Sequence, residues 1–257
     1  CVLSNVAGDS LYANPRWEFK DDRFTRVLMP ESRKRGHAQY NDGLLKIWGD
    51  PRENVFVDRE GKEVVFDGFS FVGDFWNGLA VAGKNVSAQK TLYGIISRDK
   101  QVVFPLSLDD ISALDNRLLV SKDTLKGLIQ KNGAVVLPLL YQRIDRVYNA
   151  PYYKVSQHNK YGITDLNGKT ILPAAFDEIS YNESARLFTL LQAGKSGIAD
   201  TTGHLIVPPL YDDLEANRGL DHDVFPVLVK QGRWYFYLDR NGKPLLYRSL
   251  KKKGYED

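Results

Sequence analysis

From Trp48 onward the chain alternates short apolar runs with polar, turn-forming residues, and almost nothing in it has the spacing of a helix face. The stretch Tyr161–Asp177, YGITDLNGKTILPAAFD, shows the plan. YGITD predicts a strand, and in LNGK the Asn and Gly supply the positive φ that a tight hairpin turn needs. TIL predicts the return strand, which is expected to stop at Pro173 because proline has no N–H for the ladder. Past the proline, apolar residues bracket a pair of acids in Leu108-Asp109-Asp110-Ile111, Phe176-Asp177-Glu178-Ile179 and Tyr211-Asp212-Asp213-Leu214. The acids are expected at a bend facing water, with the apolar neighbours turned inward. An alternating segment then predicts one more strand, as at residues 117–120, 152–155, 187–190 and 224–229. Each period therefore carries three or four short strands.

The plan recurs in step. The glycine that opens the apolar run is Gly94, Gly127, Gly162 and Gly197, at spacings of 33, 35 and 35 residues. The turn position is Gly61, Lys100, Gly133, Gly168, Gly203 and Gly242, and five residues beyond it stand Pro105, Pro138, Pro173 and Pro208. Degraded copies begin at Asn54 and Tyr235. Such periods mark repeat arrays. The expected fold is all-β, with about five to six tandem repeats forming a β-propeller-like ring. Half units at 43–48 and 235–247 are expected to complete one unit between them. An open β-solenoid or curved repeat array is the alternative, because roughly 35 residues per unit is lean beside familiar blades.

The blocks YGIISRD, YGITDLNGK and SGIADTTG, each followed by a proline and two of them by FDEI or YDDL, resemble WG repeats, bacterial β-rich repeats in which an aromatic-glycine pair opens each unit. The resemblance covers roughly residues 43–247. It departs at the signature tryptophan, replaced by Tyr93, Lys126, Tyr161 and Ser196, and the sixth copy has Tyr235-Phe236 in place of the pair. The family implies an extracytoplasmic β scaffold and carries over no catalytic residue.

Composition narrows the partners. The formal net charge is +3 from 35 basic and 32 acidic residues, so no strong field for nucleic acid or an anionic membrane is implied. The lone cysteine is Cys1. A chain numbered from cysteine resembles a mature bacterial lipoprotein, in which that residue carries diacylglycerol. Cys1 is therefore the expected lipid attachment site, and Val2 in place of an aspartate points to the outer membrane, facing the periplasm. Residues 1–20 are expected as the tether, 21–42 as an N-terminal cap segment and 43–257 as the repeat domain.

Candidate chemistry is sparse. His222 lies between Asp221 and Asp223, but adjacent residues rarely converge on one ion, and no metal or other cofactor is expected. Asp58, Asp165, Asp200 and Asp239 precede turns without the alternating oxygen ligands of a calcium loop, so they are expected to cap their own turns. The recurring acid pairs suit a structural role better than a glycosidase dyad, which needs one unique pair. No nucleophile motif or phosphate loop occurs.

Recognition by surface loops remains. The copies differ most at 75–77, 148–153, 181–183 and 217–225, segments rich in Tyr, Trp and Asn. Phe75, Trp76, Tyr148, Tyr152, Tyr153, Tyr181, Asp221, His222 and Asp223 are the expected partner-binding residues. The expected function is non-catalytic binding of another protein, in concrete form an immunity protein that inhibits a secreted, type VI-like toxin enzyme in the periplasm. A carbohydrate- or envelope-polymer-binding protein, or a glycosidase-like enzyme, is the alternative.

Overall fold

A computed structural model describes the backbone of residues 2–4, 10–12, 16–20, 23–28, 41–47, 53–60, 62–215 and 224–245, with side chains from residue 41 onward. The chain forms two compact units, Cys1–Leu139 and Leu140–Asp257.

In the first unit, β1 (Val2–Ser4) pairs with β2 (Ser10–Tyr12), and β3 (Arg16–Lys20) pairs with β4 (Arg23–Leu28), both antiparallel. These strands fall in the stretches expected as tether and cap. The first sheet is three-stranded: β5 (Leu44–Ile47), β6 (Val55–Asp58) and β7 (Glu63–Val65). A four-stranded second sheet follows, β8 (Phe71–Val72), β9 (Leu79–Ser87), β10 (Lys90–Ser97) and β11 (Val102–Leu108). The third sheet is β12 (Asp110–Leu114), β13 (Arg117–Lys122), β14 (Leu125–Ile129) and β15 (Val135–Tyr141), its last strand running through the junction of the units.

The second unit repeats the pattern. The fourth sheet is β16 (Arg143–Arg146), β17 (Tyr152–Gln157), β18 (Lys160–Asp165) and β19 (Thr170–Phe176). The fifth is β20 (Glu178–Asn182), β21 (Leu187–Gln192), β22 (Lys195–Asp200) and β23 (Leu205–Tyr211). The sixth holds β24 (Asp213–Glu215), β25 (Val227–Gln231) and β26 (Trp234–Leu238). Each sheet is an antiparallel meander, and no helix occurs among the described residues. The fold is an all-β tandem array of small sheets of the kind that build propeller blades.

Two details differ from the sequence reading. The strand that opens each sequence period is the third of its sheet from the second sheet onward, and the second of the three-stranded first sheet, so a period straddles two sheets. The proline, moreover, lies inside the fourth strand, which continues to Leu108, Tyr141, Phe176 and Tyr211. A bulge accommodates it. Tyr161 opposes Phe176 while Ile163 opposes Leu172, which leaves residues 173–175 across from Gly162. A Cβ on Gly162 would stand 2.8 Å from Ala174 N and Leu172 O, closer than any real side chain approaches. The fourth strand is also an edge strand of its sheet, where a missing N–H breaks no ladder on its free side.

The core lies between successive sheets. Ile163, Leu172 and Phe176 of the fourth sheet pack with Ile179, Phe188, Leu190 and Ala199 of the fifth. Ile198 and Val207 of the fifth pack with Val227, Val229 and Leu238 of the sixth. Asn54 stitches the first sheet to the second, donating to Phe69 O at 2.7 Å and accepting from Val72 N at 2.7 Å.

Candidate protein-interaction surface

Three of the segments in which the copies differ most, 75–77, 148–153 and 181–183, share one structural place: each lies in or beside the link from the first to the second strand of its sheet. In a meander that link emerges at the same end as the hairpin between the third and fourth strands. The expected residues divide by burial. Phe75 and Tyr153 are core residues, 2% and 0% exposed, which corrects their expected place on a binding surface. Phe75 sits 5.5 Å from the Phe56 ring and 5.0 Å from that of Phe66. Tyr153 opposes Thr164 across the ladder, on the face that packs inward. For Tyr153 strand alternation, which sequence alone leaves in either phase, decided this; Phe75 lies in the link between β8 and β9 and folds back onto the Phe56 and Phe66 rings.

Trp76 is half-buried against the second and third sheets, its indole N–H without a partner and the Lys131 ammonium 5.6 Å from its ring. Tyr152 and Tyr181 are half-buried, meeting edge to face at 5.6 Å, and Tyr152 meets Phe188 at 5.3 Å. Burial, followed by the neighbouring Tyr152, pushes the Tyr181 hydroxyl above its ordinary pKa. Asp221, His222, Asp223 and Cys1 lie outside the described residues.

Tyr148 stands apart at 83% exposure. Its loop is held from beneath: the Arg146 guanidinium donates to Tyr152 O at 3.0 Å, to Val147 O at 3.5 Å and to Ala150 O, and stacks on Tyr153 at 5.7 Å. Val147 N donates to Tyr152 O at 3.0 Å, closing the loop. Next to Tyr148, Asn149 at φ 49° donates to Glu183 Oε2 at 3.4 Å, joining the fourth-sheet loop to that of the fifth. Sequence reasoning found Tyr148 and Asn149 but missed Arg146, which nothing distinguishes from other arginines until the loop carbonyls converge on it.

The recurring acids hold the scaffold. Asp177 accepts from Ala193 N at 2.6 Å and pairs with Lys160, linking the fourth sheet to a turn of the fifth. Asp212 likewise accepts from Gly232 N at 2.6 Å and pairs with Lys195 at 2.5 Å, and Asp109 accepts from Asp123 N at 2.5 Å and pairs with Lys90 at 3.1 Å. The lysines hold Asp177 and Asp212 below the ordinary carboxylate range, with the turn amides adding to this; for Asp109 the Asp123 amide leads. Where Leu125 replaces the lysine, Gln142 replaces the acid and still accepts from its turn, Asn159 N, at 2.9 Å. The constant Lys-to-Asp spacing of 17 in two copies was a signal in the sequence.

The turn acids do what their positions predict. Asp165 Oδ1 accepts from Asn167 N at 2.8 Å and Lys169 N at 2.9 Å, and Asp58, Asp200 and Asp239 repeat the arrangement. Among the described residues no three His, Cys, Asp or Glu side chains gather where a metal could bind.

The family model described as WG containing repeat matches residues 127–161 and 197–219. These two stretches are similar to that repeat. No curated protein matches the chain at a significant level. Among solved structures, a eukaryotic initiation factor is similar at 12% identity and a TM-score of 0.35, over 95% of this chain and 72% of that one. Kluyveromyces lactis Hsv2 is similar at 11% identity and a TM-score of 0.29, over 83% of this chain and 78% of its own. In the two matched segments Gly127 and Gly197 each face the neighbouring strand at its proline, where a Cβ would stand 2.9 Å from Leu137 O and 2.6 Å from Val207 O.

Proposed function

We propose that this WG-type repeat protein is a non-catalytic binder that grips another protein through the loop end of its fourth and fifth sheets. The observation that carries this reading is Tyr148: a large ring, 83% exposed, on a loop braced by Arg146 and tied to Glu183 through Asn149. An aromatic presented on a rigid loop loses little conformational freedom on binding, which is how interface anchors work. The carboxylates that a hydrolytic dyad would need are engaged by turn amides and lysines, which supports binding over hydrolysis. In its concrete form the partner is a toxin enzyme met in the periplasm, whose active site the loops cover; blocking it requires a rigid surface and no chemistry.

The test is affinity capture from cells with the full chain and with Tyr148→Ala. One stoichiometric enzyme, inhibited on binding and lost with the variant, is the expected result. Retention on peptidoglycan or polysaccharide resin with no protein captured overturns the reading in favour of a polymer binder.

A further inference from the structure

The turns that lead into β5, β9, β13, β17 and β21 come in two sizes. In the first unit two residues suffice before β5, β9 and β13: Asp42-Gly43, Asn77-Gly78 and Asp115-Asn116. In the second unit four residues stand before β17 and β21, 148–151 between Val147 and Tyr152, and 183–186 between Asn182 and Leu187. Two residues are enough to reverse a strand, so the hairpin does not require the added length. It carries the exposed Tyr148 in one loop and an exposed arginine, Arg186, in the other.

Arg186 sits where the fold by itself favours another residue. Its φ is 53°, in the left-handed region that glycine enters without steric cost and a residue with a Cβ does not. The loop around it is fixed: Asn182 pairs with Leu187 across its base, and Ala185 N donates to Asn182 Oδ1 at 3.0 Å. The guanidinium forms no ion pair among the described residues, while Glu183 of the same loop is turned to Asn149, beside Tyr148. Burial raises the Tyr181 pKa, Arg186 works against this and Glu183 with it, so both charges stand near that ring, which meets Tyr152 at 5.6 Å.

We propose that Arg186 is the charged contact of the binding surface and takes a carboxylate of the partner protein, next to the apolar contact made by Tyr148. This rests on the reading of the two loops as a protein-binding surface, and it adds the chemistry of the partner: an acidic side chain within its contact patch. A planar guanidinium whose donors are uncommitted holds a carboxylate through two parallel hydrogen bonds. Tyr and Arg are also among the residues that carry most of the binding energy at protein interfaces. A contact patch without an acid would leave the guanidinium desolvated and unpaired, which weakens binding, so the same residue sets specificity.

The test titrates the full chain with the purified protein recovered by affinity capture, in low and in high salt. Arg186→Gly is expected to melt no lower than the parent, because glycine relieves the backbone, and to bind roughly thirty-fold more weakly. The parent's affinity is expected to fall as salt rises, and that of Arg186→Gly to change little. Arg186→Lys, which keeps the charge and loses the fork, is expected to lie between the two. Arg186→Gly binding as tightly as the parent, while Tyr148→Ala releases the partner, overturns the carboxylate contact and leaves the loop reading standing. So does an Arg186→Gly protein that melts lower and loses binding, which makes the residue structural. A chain that retains no protein overturns both proposals.

Discussion

In the fourth sheet the third and fourth strands pair through a bulge at Pro173, whereas in the first sheet the matching strands pair without one: Val55 opposes Val65, Phe56 opposes Val64 and Val57 opposes Glu63 in steady register. Val55 occupies the place of Gly162, and Phe66 that of Pro173. The two positions change together for a steric reason. A Cβ at Gly162 would run into the bulged strand, while a regular strand leaves room for Val55 and turns Phe66 into the core at 1% exposure. In sequence the sixth copy follows the first, with Phe236 and Tyr247 at these places. The repeat glycine, here Gly162, therefore serves the bulge in the neighbouring strand. The residue before it, Tyr93, Lys126, Tyr161 or Ser196, is half-buried in each case.

The sharpest way to break the contrast is to force the fourth-sheet residue onto the first. Phe66→Pro removes a buried ring and the bond from Phe66 N to Asn54 O, and is expected to cost about 4 kcal/mol in denaturant unfolding. The converse change, Gly162→Val, is expected to cost about 3 kcal/mol through overpacking against backbone. A Gly162→Val protein as stable as the parent would show that the bulge does not demand glycine.

A smaller effect separates the same sheets by pH. The first sheet has Glu53 and Ser70 where the fourth has Lys160 and Asp177. Lys160, then the Ala193 amide, lowers the Asp177 pKa in the folded state. The clasp thus stabilises the fold above the unfolded carboxyl value of about 3.9 and is lost as pH falls through the lower folded value. Asp177→Asn is expected to melt below the parent at about pH 6, with the two curves converging in strong acid. Parallel melting curves at every pH contradict that. The smallest stability change belongs to Tyr148→Ala, expected within about 0.5 kcal/mol because the ring touches little, and its effect should appear in partner capture instead.

Much of the fold was legible because its signals are local. The turn glycines Gly133, Gly168 and Gly203 have φ of 87°, 87° and 90°, and the acids before the turns bond the amides their spacing predicts. Pro173 misled for the same reason: a missing N–H ends a ladder when judged along one strand, but not at an outer edge facing a glycine. The candidate surface was half legible. Tyr148 stood out as an aromatic in a variable segment, yet the same argument selected Phe75 and Tyr153, which are core.

By itself the sequence determined the strands, the hairpins, the period and the structural use of the repeated acids. Each of these follows from a residue's own dihedral range, its donors and acceptors, or alternation over a few neighbours. Tertiary structure alone decided which aromatics face water, that Arg146 braces the Tyr148 loop, and that Tyr237 lies open where Ile163 and Ile198 are covered. The first and last of these depend on which sheet packs against which face, a contact between residues a full repeat apart and beyond the reach of any local pattern; the Arg146 brace spans only a few residues but needs the carbonyls of Val147, Ala150 and Tyr152 to converge in the folded loop.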